Sequence, residues 1–398
     1  MTRRLLRVAV VGAGSIGREF ALEHLTASAG VRVSAVVDSD ADAAATLAAD
    51  VGSAQQLGEV AHGTSLTADA VLESCDAVYI GTPPSSHLPL VEQALAAEKH
   101  VLLEKPLASR AEDADKIVAA AERAAVRGVH LSVNIGMRYN EALHQLRRLA
   151  LHQGALGGEV ESARLGLHFT QWPREWQRVA WCSSRAEGGP LREVGTHFIA
   201  AILELWGSEC VRRVRADIVY DKREEAETSV NGTVELWNGV PISLSVTTDG
   251  SVNGMSSDLY ELELVGAGGS KALLLDNFTT LRQVYPRKRT IVRNGSYGRK
   301  ECVANLVTAA SSRGSRGTGT DEGASSHSRQ LESGPPSGIF SASIKKRARR
   351  SETNGYQEAD LDAKHLPAAV TAGDARNAQR VLDAILCSSG EWLDVSYD

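Results

Sequence analysis

Short runs of apolar, mostly β-branched residues alternate with helical patterns through the first third of the chain. Val8-Ala9-Val10-Val11 is continuous rather than alternating, and a glycine turn and a helix bearing Ile16, Phe20 and Leu25 follow it. Val31 to Val37, Ala77 to Ile80, Val101 to Leu103 and Val129 to Val133 repeat the strand signal, while Asp40 to Asp50, Ser85 to Glu98 and Ala111 to Arg127 read as helices. Continuous apolar strands are expected where crossover helices bury both faces of a parallel sheet. The pattern therefore predicts a doubly wound α/β domain over residues 1–133.

From about residue 155 the periodicity changes. A helix, Gly195 to Trp206, precedes strand patterns at Val211 to Tyr220, Ser229 to Trp237, Val240 to Thr247, Leu259 to Val265 and Lys271 to Leu275. Turn signals such as Asn238-Gly239 join them, so residues 134–310 are expected to form an α+β domain with a large, mainly antiparallel, open sheet. Ser311 to Gly355 is dominated by Ser, Gly, Arg and Thr, and is predicted to be a disordered insertion because it cannot bury enough surface to offset its ordering entropy. It contains Lys345-Lys346-Arg347-Ala348-Arg349-Arg350, a polyanion-binding patch or, as we prefer, a solvated charged linker. Residues 356–398 recover an amphipathic pattern through Ala375, Ala378, Val381, Leu382 and Ile385, which predicts a helix that packs back on the body.

Composition narrows the function classes. The 398 residues are 43% hydrophobic and 23% charged with a net charge of -6, so no basic excess points to nucleic acid. No apolar run approaches the ~20 residues that cross a bilayer, and no membrane association is expected. Five scattered cysteines without a C-x-x-C pair suggest a reducing compartment, and with no apolar signal segment the chain is expected to be cytoplasmic. The eleven histidines form no metal-ligand spacing, so no metal is expected.

Gly12-Ala13-Gly14-Ser15-Ile16-Gly17 has G-x-G-x-x-G spacing and lies where a strand should give way to a helix. The first Gly permits the turn, the second lets backbone approach a pyrophosphate, and the third allows close helix packing, with the helix N-terminus offering N–H groups to phosphate. Asp38 follows Gly17 by 21 residues and is placed to accept the ribose hydroxyls of an adenosine, or else to cap the next helix. Without a following Arg or Lys at residues 39–41, NAD is expected over NADP. The loop Gly81-Thr82-Pro83-Pro84-Ser85-Ser86-His87 and then Glu104-Lys105-Pro106 end successive strands and should border the same cleft, which adds Thr82, Pro83, His87 and Glu104 to the nucleotide contacts. The Lys105 ammonium could polarise or protonate an oxygen on the carbon that exchanges hydride, although a lysine at a strand end is also commonly a surface charge.

Together these residues resemble the Gfo/Idh/MocA oxidoreductases, the glucose-fructose oxidoreductase and inositol dehydrogenase family. Glu104-Lys105-Pro106 carries most of the likeness. Arg138-Tyr139-Asn140, Gly154-Ala155-Leu156-Gly157-Gly158-Glu159-Val160 and Gly188-Gly189-Pro190-Leu191-Arg192-Glu193-Val194-Gly195-Thr196-His197 extend it, in the family's order, into the second domain. The resemblance implies a Rossmann domain joined to an open-sheet substrate domain, NAD(P) in the cleft, sugar or polyol substrates, and Lys105 with His197 as the catalytic pair. Glu193 stands where the family more often has Asp. Its extra methylene moves the carboxylate by about one bond length, a displacement of the ~1 Å size that can cost of order 10²-fold in rate, so the direct role falls to His197 ahead of Glu193.

Glu193 and His197, four residues apart, share one face of a helix. An imidazole there suits proton removal from a hydroxyl as hydride leaves the same carbon. Trp172, Trp176 and Trp181 cluster ahead of Gly188; Trp172, next to Pro173, is the favoured substrate wall together with Arg138, while the 172/176 spacing equally suits core packing. The expected activity is an NAD-dependent dehydrogenase or reductase acting on CH–OH donors, with a catalytically silent nucleotide-binding regulator of the same fold as the alternative. An apolar open sheet face would be buried by a second copy, which predicts a homodimer or homotetramer.

Overall fold

The computed structural model describes residues 4–56, 58–67, 69–177, 179–252, 256–269, 271–285, 287–314 and 367–397. Six strands, β1 (Leu6–Val11), β2 (Val31–Val37), β3 (Ala61–Gly63), β4 (Ala77–Ile80), β5 (His100–Leu103) and β6 (Leu131–Val133), form a sheet in the order β3-β2-β1-β4-β5-β6. Every neighbouring pair is parallel. Helices α1 (Ser15–Glu19, continuing through Phe20–Leu25), α2 (Ala41–Ala54), α3 (Asp69–Ser74), α4 (His87–Ala96) and α5 (Ala111–Ala125) form the crossovers. Cover on both faces is why Val8, Ala9 and Val10 are all fully buried and why their run is unbroken.

The order of strands reverses between β1 and β4, and such a switch point opens a crevice beyond the carboxyl ends of the strands. Register aligns those ends. Val11 pairs with Ile80, Ile80 with Leu103 and Leu103 with Val133, so Gly12, Gly81, Glu104 and Asn134 leave the sheet in one row. Their backbone N–H groups donate, each in turn, to the neighbouring strand's last carbonyl: Gly12 to Val37, Gly81 to Val11, Glu104 to Ile80 and Asn134 to Leu103.

The chain then enters α6 (Glu141–Arg147, continuing through Arg148–His152) and a nine-stranded sheet. Its strands are β7 (Ser162–His168), β8 (Val211–Val219), β9 (Ser229–Leu236), β10 (Pro241–Thr247), β11 (Leu259–Val265), β12 (Ala272–Asp276), β13 (Thr280–Tyr285), β14 (Arg289–Val292) and β15 (Leu393–Asp394), with α7 (Leu191–Gly195, continuing through Thr196–Trp206) between β7 and β8. The order is β14-β13-β12-β11-β7-β10-β9-β8-β15, and all pairs are antiparallel except β7 with β10. The fold class is thus the one the patterning predicts, a Rossmann sheet followed by a large, mainly antiparallel one. Asn238-Gly239 makes the β9–β10 hairpin, with Gly239 at φ +84.

Ile242, Leu244, Val246, Leu262 and Leu264 are buried on the face that carries Leu143, Phe198 and Ile202 from α6 and α7. The opposite face carries Arg164, Ser243, Ser245, Glu261 and Glu263. It is polar, so the apolar open face expected from the sequence is corrected: strict alternation puts the apolar set against the helices.

The two sheets are tied together by the end of the chain. Helix α8 (Arg299–Gly314) leaves β14 and buries Cys302, Val303 and Leu306 against Phe20, Tyr79 and Leu102 of the first sheet. Helix α9 (Ala372–Cys387) starts in a capping box of Thr371 and Asp374 and lies against α5, α7 and β8. Arg376 pairs with Asp115 on α5 at 2.6 Å, the Val133 N–H donates to the Val370 carbonyl, and Ser388 Oγ accepts from the Ala216 N–H. Residues 311–314, which composition assigned to the expected insertion, instead finish α8. Ser311 and Ser312 return their hydroxyls to the Val307 and Ala309 carbonyls, which lets serines continue a helix anchored by its apolar residues. The remainder of that stretch, with the basic run, lies outside the described residues.

Candidate active site

The glycine turn is shaped by contact. Gly12 has φ +102, and a Cβ there would stand 2.6 Å from the Gly81 carbonyl oxygen; one at Gly17 would stand 1.9 Å from that of Gly12. A Cβ at Gly14 would meet no atom of the described residues within 4 Å. Gly12 and Gly17 therefore serve the fold, whereas Gly14 keeps open the space in front of the α1 N-terminus, which no side chain among the described residues caps. That space belongs to a cleft of about 700 Å³ bordered by Gly12, Gly14, Ser15, Ile16, Asp38, Thr82, Pro83, Glu104 and Lys105. Asp38 accepts from the Ala13 N–H at 2.6 Å and the Asp40 N–H at 2.9 Å. Its carboxylate thus braces the turn, with lone pairs left for a hydroxyl, while Asp40 rather than Asp38 caps α2.

His87 does not border the cleft. It is fully buried, with Nδ1 3.2 Å from the Leu107 carbonyl oxygen and Nε2 2.9 Å from that of Thr82. The ring clamps the loop after β4 to the loop after β5, and burial lowers its pKa. The expectation of a nucleotide contact at His87 is corrected to this role, because α4 turns the side chain inward.

Beyond Lys105 the cleft continues into a smaller pocket of about 210 Å³ between the two sheets. The 105–106 peptide bond is cis. Lys105 Nζ donates to Glu193 Oε1 at 3.2 Å and to the Glu193 carbonyl oxygen at 3.1 Å, and Gln177 Nε2 donates to Glu193 Oε2 at 2.9 Å. Glu104, also buried, accepts from the Tyr79 hydroxyl at 2.9 Å and the Asn134 amide at 2.5 Å. His197 Nε2 is 3.0 Å from the Tyr297 hydroxyl, and Nδ1 is buried with no partner among the described residues. Burial first, then the positive charges of Lys105, Arg299 and Arg174, holds the imidazole well below its ordinary pKa, so it is neutral at pH 7. Burial likewise keeps the Tyr297 phenol protonated.

Lys105, Glu193 and His197, named from the sequence, all line this pocket. Arg138 and Trp172 do not. Arg138 lies behind α7, where it pairs with Glu204 at 3.5 Å and Asp374 at 3.2 Å, so the expected substrate contact is corrected to an ionic link between α7 and α9. Trp172 packs edge-on against Phe169 and donates its indole N–H to the Cys182 carbonyl at 3.0 Å. Trp176, 52% exposed, borders both the pocket and the cleft in its place. Sequence reasoning missed Arg174, Gln177, Tyr297 and Arg299. Tyr297 and Arg299 sit just after β14, where only the sheet's closure on the first layer brings them to the pocket, with Arg299 paired to Glu19 of α1. The Trp172-Pro173 turn flanking Arg174 was the one available local signal.

The Rossmann cleft thus opens into a lysine–carboxylate–histidine pocket formed against a second sheet. Residues 6–134 match the Gfo/Idh/MocA family model, described as an oxidoreductase family with an NAD-binding Rossmann fold, and the resemblance seen in the sequence is borne out there. The chain is 32% identical over 220 residues, 55% of its length and 59% of the relative's, to dTDP-3,4-didehydro-2,6-dideoxy-alpha-D-glucose 3-reductase of Streptomyces violaceoruber. It is 33% identical to inositol 2-dehydrogenase of Corynebacterium glutamicum over 41% of its length and 45% of that protein's. The chain thus spans about half the length of these curated relatives. Solved structures similar over nearly all of both chains include the WlbA dehydrogenase from Bordetella pertussis in complex with NADH and UDP-GlcNAcA, with TM-score 0.68 and 18% identity over 99% and 100% of the two chains. Another is the aldose-aldose oxidoreductase from Caulobacter crescentus complexed with glycerol, with TM-score 0.69 and 18% identity over 98% and 100%. At these identities the likeness is one of fold.

Proposed function

We propose that the protein is an NAD-dependent oxidoreductase acting on a carbinol or carbonyl carbon of a sugar, sugar derivative or cyclic polyol. The observation that carries this is the meeting of Lys105, Glu193 and His197 in one pocket continuous with the cleft over the glycine turn. The residues present fit the nucleotide: Gly14 leaves room in front of an uncapped helix N-terminus, and Asp38 offers acceptors where ribose hydroxyls would lie. When bound, the nicotinamide would accept or return the hydride.

The rest is work for the chain's own groups. An ammonium has three N–H donors, and Glu193 occupies two of those of Lys105, which leaves one for the substrate oxygen on which charge develops. His197, neutral by burial, takes the proton of the substrate hydroxyl in oxidation and gives it back in reduction. Tyr297 orients the ring through Nε2, and Glu193 with Gln177 fixes the ammonium. Cytoplasmic residence and a homodimer or homotetramer belong to the same reading. No helix among the described residues is long and apolar enough to cross a membrane.

The test is a panel of sugars and polyols followed by NADH absorbance, on wild type and Lys105→Met. We expect turnover in the wild type and its loss in the variant, with NADH binding, read by fluorescence, retained. Undiminished turnover in Lys105→Met would remove the lysine from the mechanism. NADH binding with no turnover on any member would favour a silent nucleotide-binding regulator.

A further inference from the structure

The charged groups around the small pocket are almost all matched. Lys105 is held by Glu193, and Arg299 by Glu19 with the buried Glu104 nearby. Arg174 differs. Among the described residues it has no carboxylate at ion-pair distance: Nε donates to the Gln177 amide oxygen at 2.7 Å and Nη1 to the Tyr260 hydroxyl at 3.3 Å. Glu193 reaches it only through Gln177, and Asp258 only through Tyr260, whose hydroxyl donates to Asp258 at 2.7 Å. The guanidinium also lies over the Trp176 ring at 4.7 Å and is 5.7 Å from that of Trp172. It is therefore fixed on three sides by neutral groups, and Nη2 has no protein partner among the described residues.

Two cation–π contacts and two hydrogen bonds are a costly way to hold a surface arginine, since each long side chain loses rotamer freedom on being fixed. They are a sensible way to hold a guanidinium in advance for an anion. Neutral neighbours fix the plane without discharging it, so the charge stays available to a ligand and the ordering cost is met before binding. The guanidinium fork matches a carboxylate in both shape and charge. One unmatched cation suits one negative charge, whereas a phosphate ester near its dianionic form would call for more. A pocket of about 210 Å³ holds something the size of a monosaccharide.

We propose that Arg174 is a specificity-determining residue that reads a carboxylate on the substrate, so that the sugar or polyol turned over is a sugar acid of the uronate type. The inference rests on the oxidoreductase reading for its consequence in turnover, but the binding it describes does not require turnover. The carboxylate sits on the Arg174 side of the pocket and the reacting carbon on the Lys105 and His197 side, with the Trp176 ring beside them.

Two measurements separate the inference from the reading beneath it. The first is binding to the NADH-saturated protein, by calorimetry, of a panel of common hexuronates, their methyl esters, the matching neutral hexoses and the hexose 6-phosphates. The second is turnover on the same panel. At least one hexuronate should bind about 10- to 100-fold more tightly than its methyl ester and its hexose, the size of a charge-assisted contact. In Arg174→Gln that preference should collapse toward one, and Arg174→Lys should recover part of it. Unchanged thermal melting of the variants certifies folding. A preference that survives in Arg174→Gln, binding of no hexuronate, or tighter binding of the 6-phosphates than of every hexuronate would overturn the assignment. If the hexuronate preference depends on Arg174 but no member of the panel is turned over, the anion subsite stands and the oxidoreductase reading fails. If neutral hexoses are turned over as well as hexuronates, the reading stands and the subsite fails.

Discussion

The Lys105–Glu193 pair joins the first sheet to the second and is sheltered, with 13% and 4% of the two side chains exposed. Removing one member of such a pair leaves a buried charge without its partner, which costs about 3–5 kcal/mol; replacing both by neutral groups of similar volume is often close to neutral. Lys105→Met strands the carboxylate with Gln177 alone, and Glu193→Gln strands the ammonium among neutral acceptors while keeping the Gln177 contact. The double variant has neither charge and preserves that hydrogen bond. Each single change should therefore lower stability by about 3 kcal/mol or more, and the double by only about 1–2 kcal/mol, a coupling of at least about 3 kcal/mol. Urea unfolding of the four proteins, followed by tryptophan fluorescence, measures all the corners of the cycle. Additivity within about 0.5 kcal/mol would refute the idea that the two charges compensate each other in the folded state.

The glycine turn separates folding from binding: Gly14→Ala should melt within a degree or two of wild type yet lose NADH affinity by fluorescence titration, whereas Gly17→Ala, with a Cβ driven onto the Gly12 carbonyl, should lose stability as well. Glu227 is almost wholly buried against Gly189 and accepts from the Leu191 N–H at 2.9 Å, and burial raises its pKa from 4.5 to about 6. A carboxyl whose folded pKa is raised favours the fold fully below about pH 4.5 and loses that contribution as pH rises through about 6. Glu227→Gln should accordingly stabilise the protein by about 2 kcal/mol at pH 8 and by little at pH 4.5, as read from urea midpoints; an equal shift at both pH values would contradict the assignment.

The parts of the site that were legible in the sequence are those carried by short-range spacing. Gly12, Gly14 and Gly17, then Glu104 with Lys105, sit at strand ends, and Glu193 with His197 one helical turn apart, so local periodicity sufficed to place them. Asp38 was located but only half understood, since its bonds to the Ala13 and Asp40 N–H groups follow from the turn's conformation rather than its composition. Arg138 reads as a site residue through the family resemblance and His87 through its place after a strand, yet Arg138 is drawn to Glu204 of α7 and Asp374 of α9 and His87 turns inward to the loop after β5. Tyr297 and Arg299 were invisible because β13 and β14, polar and short, give a weak strand pattern, and their arrival at the pocket depends on how the sheet closes. Trp176 replaces Trp172 because the indole of the latter is held by the Cys182 carbonyl.

The Arg376–Asp115 bridge has a consequence for the order in which the protein is made. Its two ends are 261 residues apart, and at a synthesis rate of about 5–20 residues per second the arginine follows the aspartate by roughly 13 to 50 s. For that interval the flank of α5 that α9 will cover is bare, and the Val133 N–H waits for the Val370 carbonyl. The first sheet is therefore completed by a helix made long after its own strands. A nascent chain stalled before residue 367 presents an apolar surface for chaperones to shield.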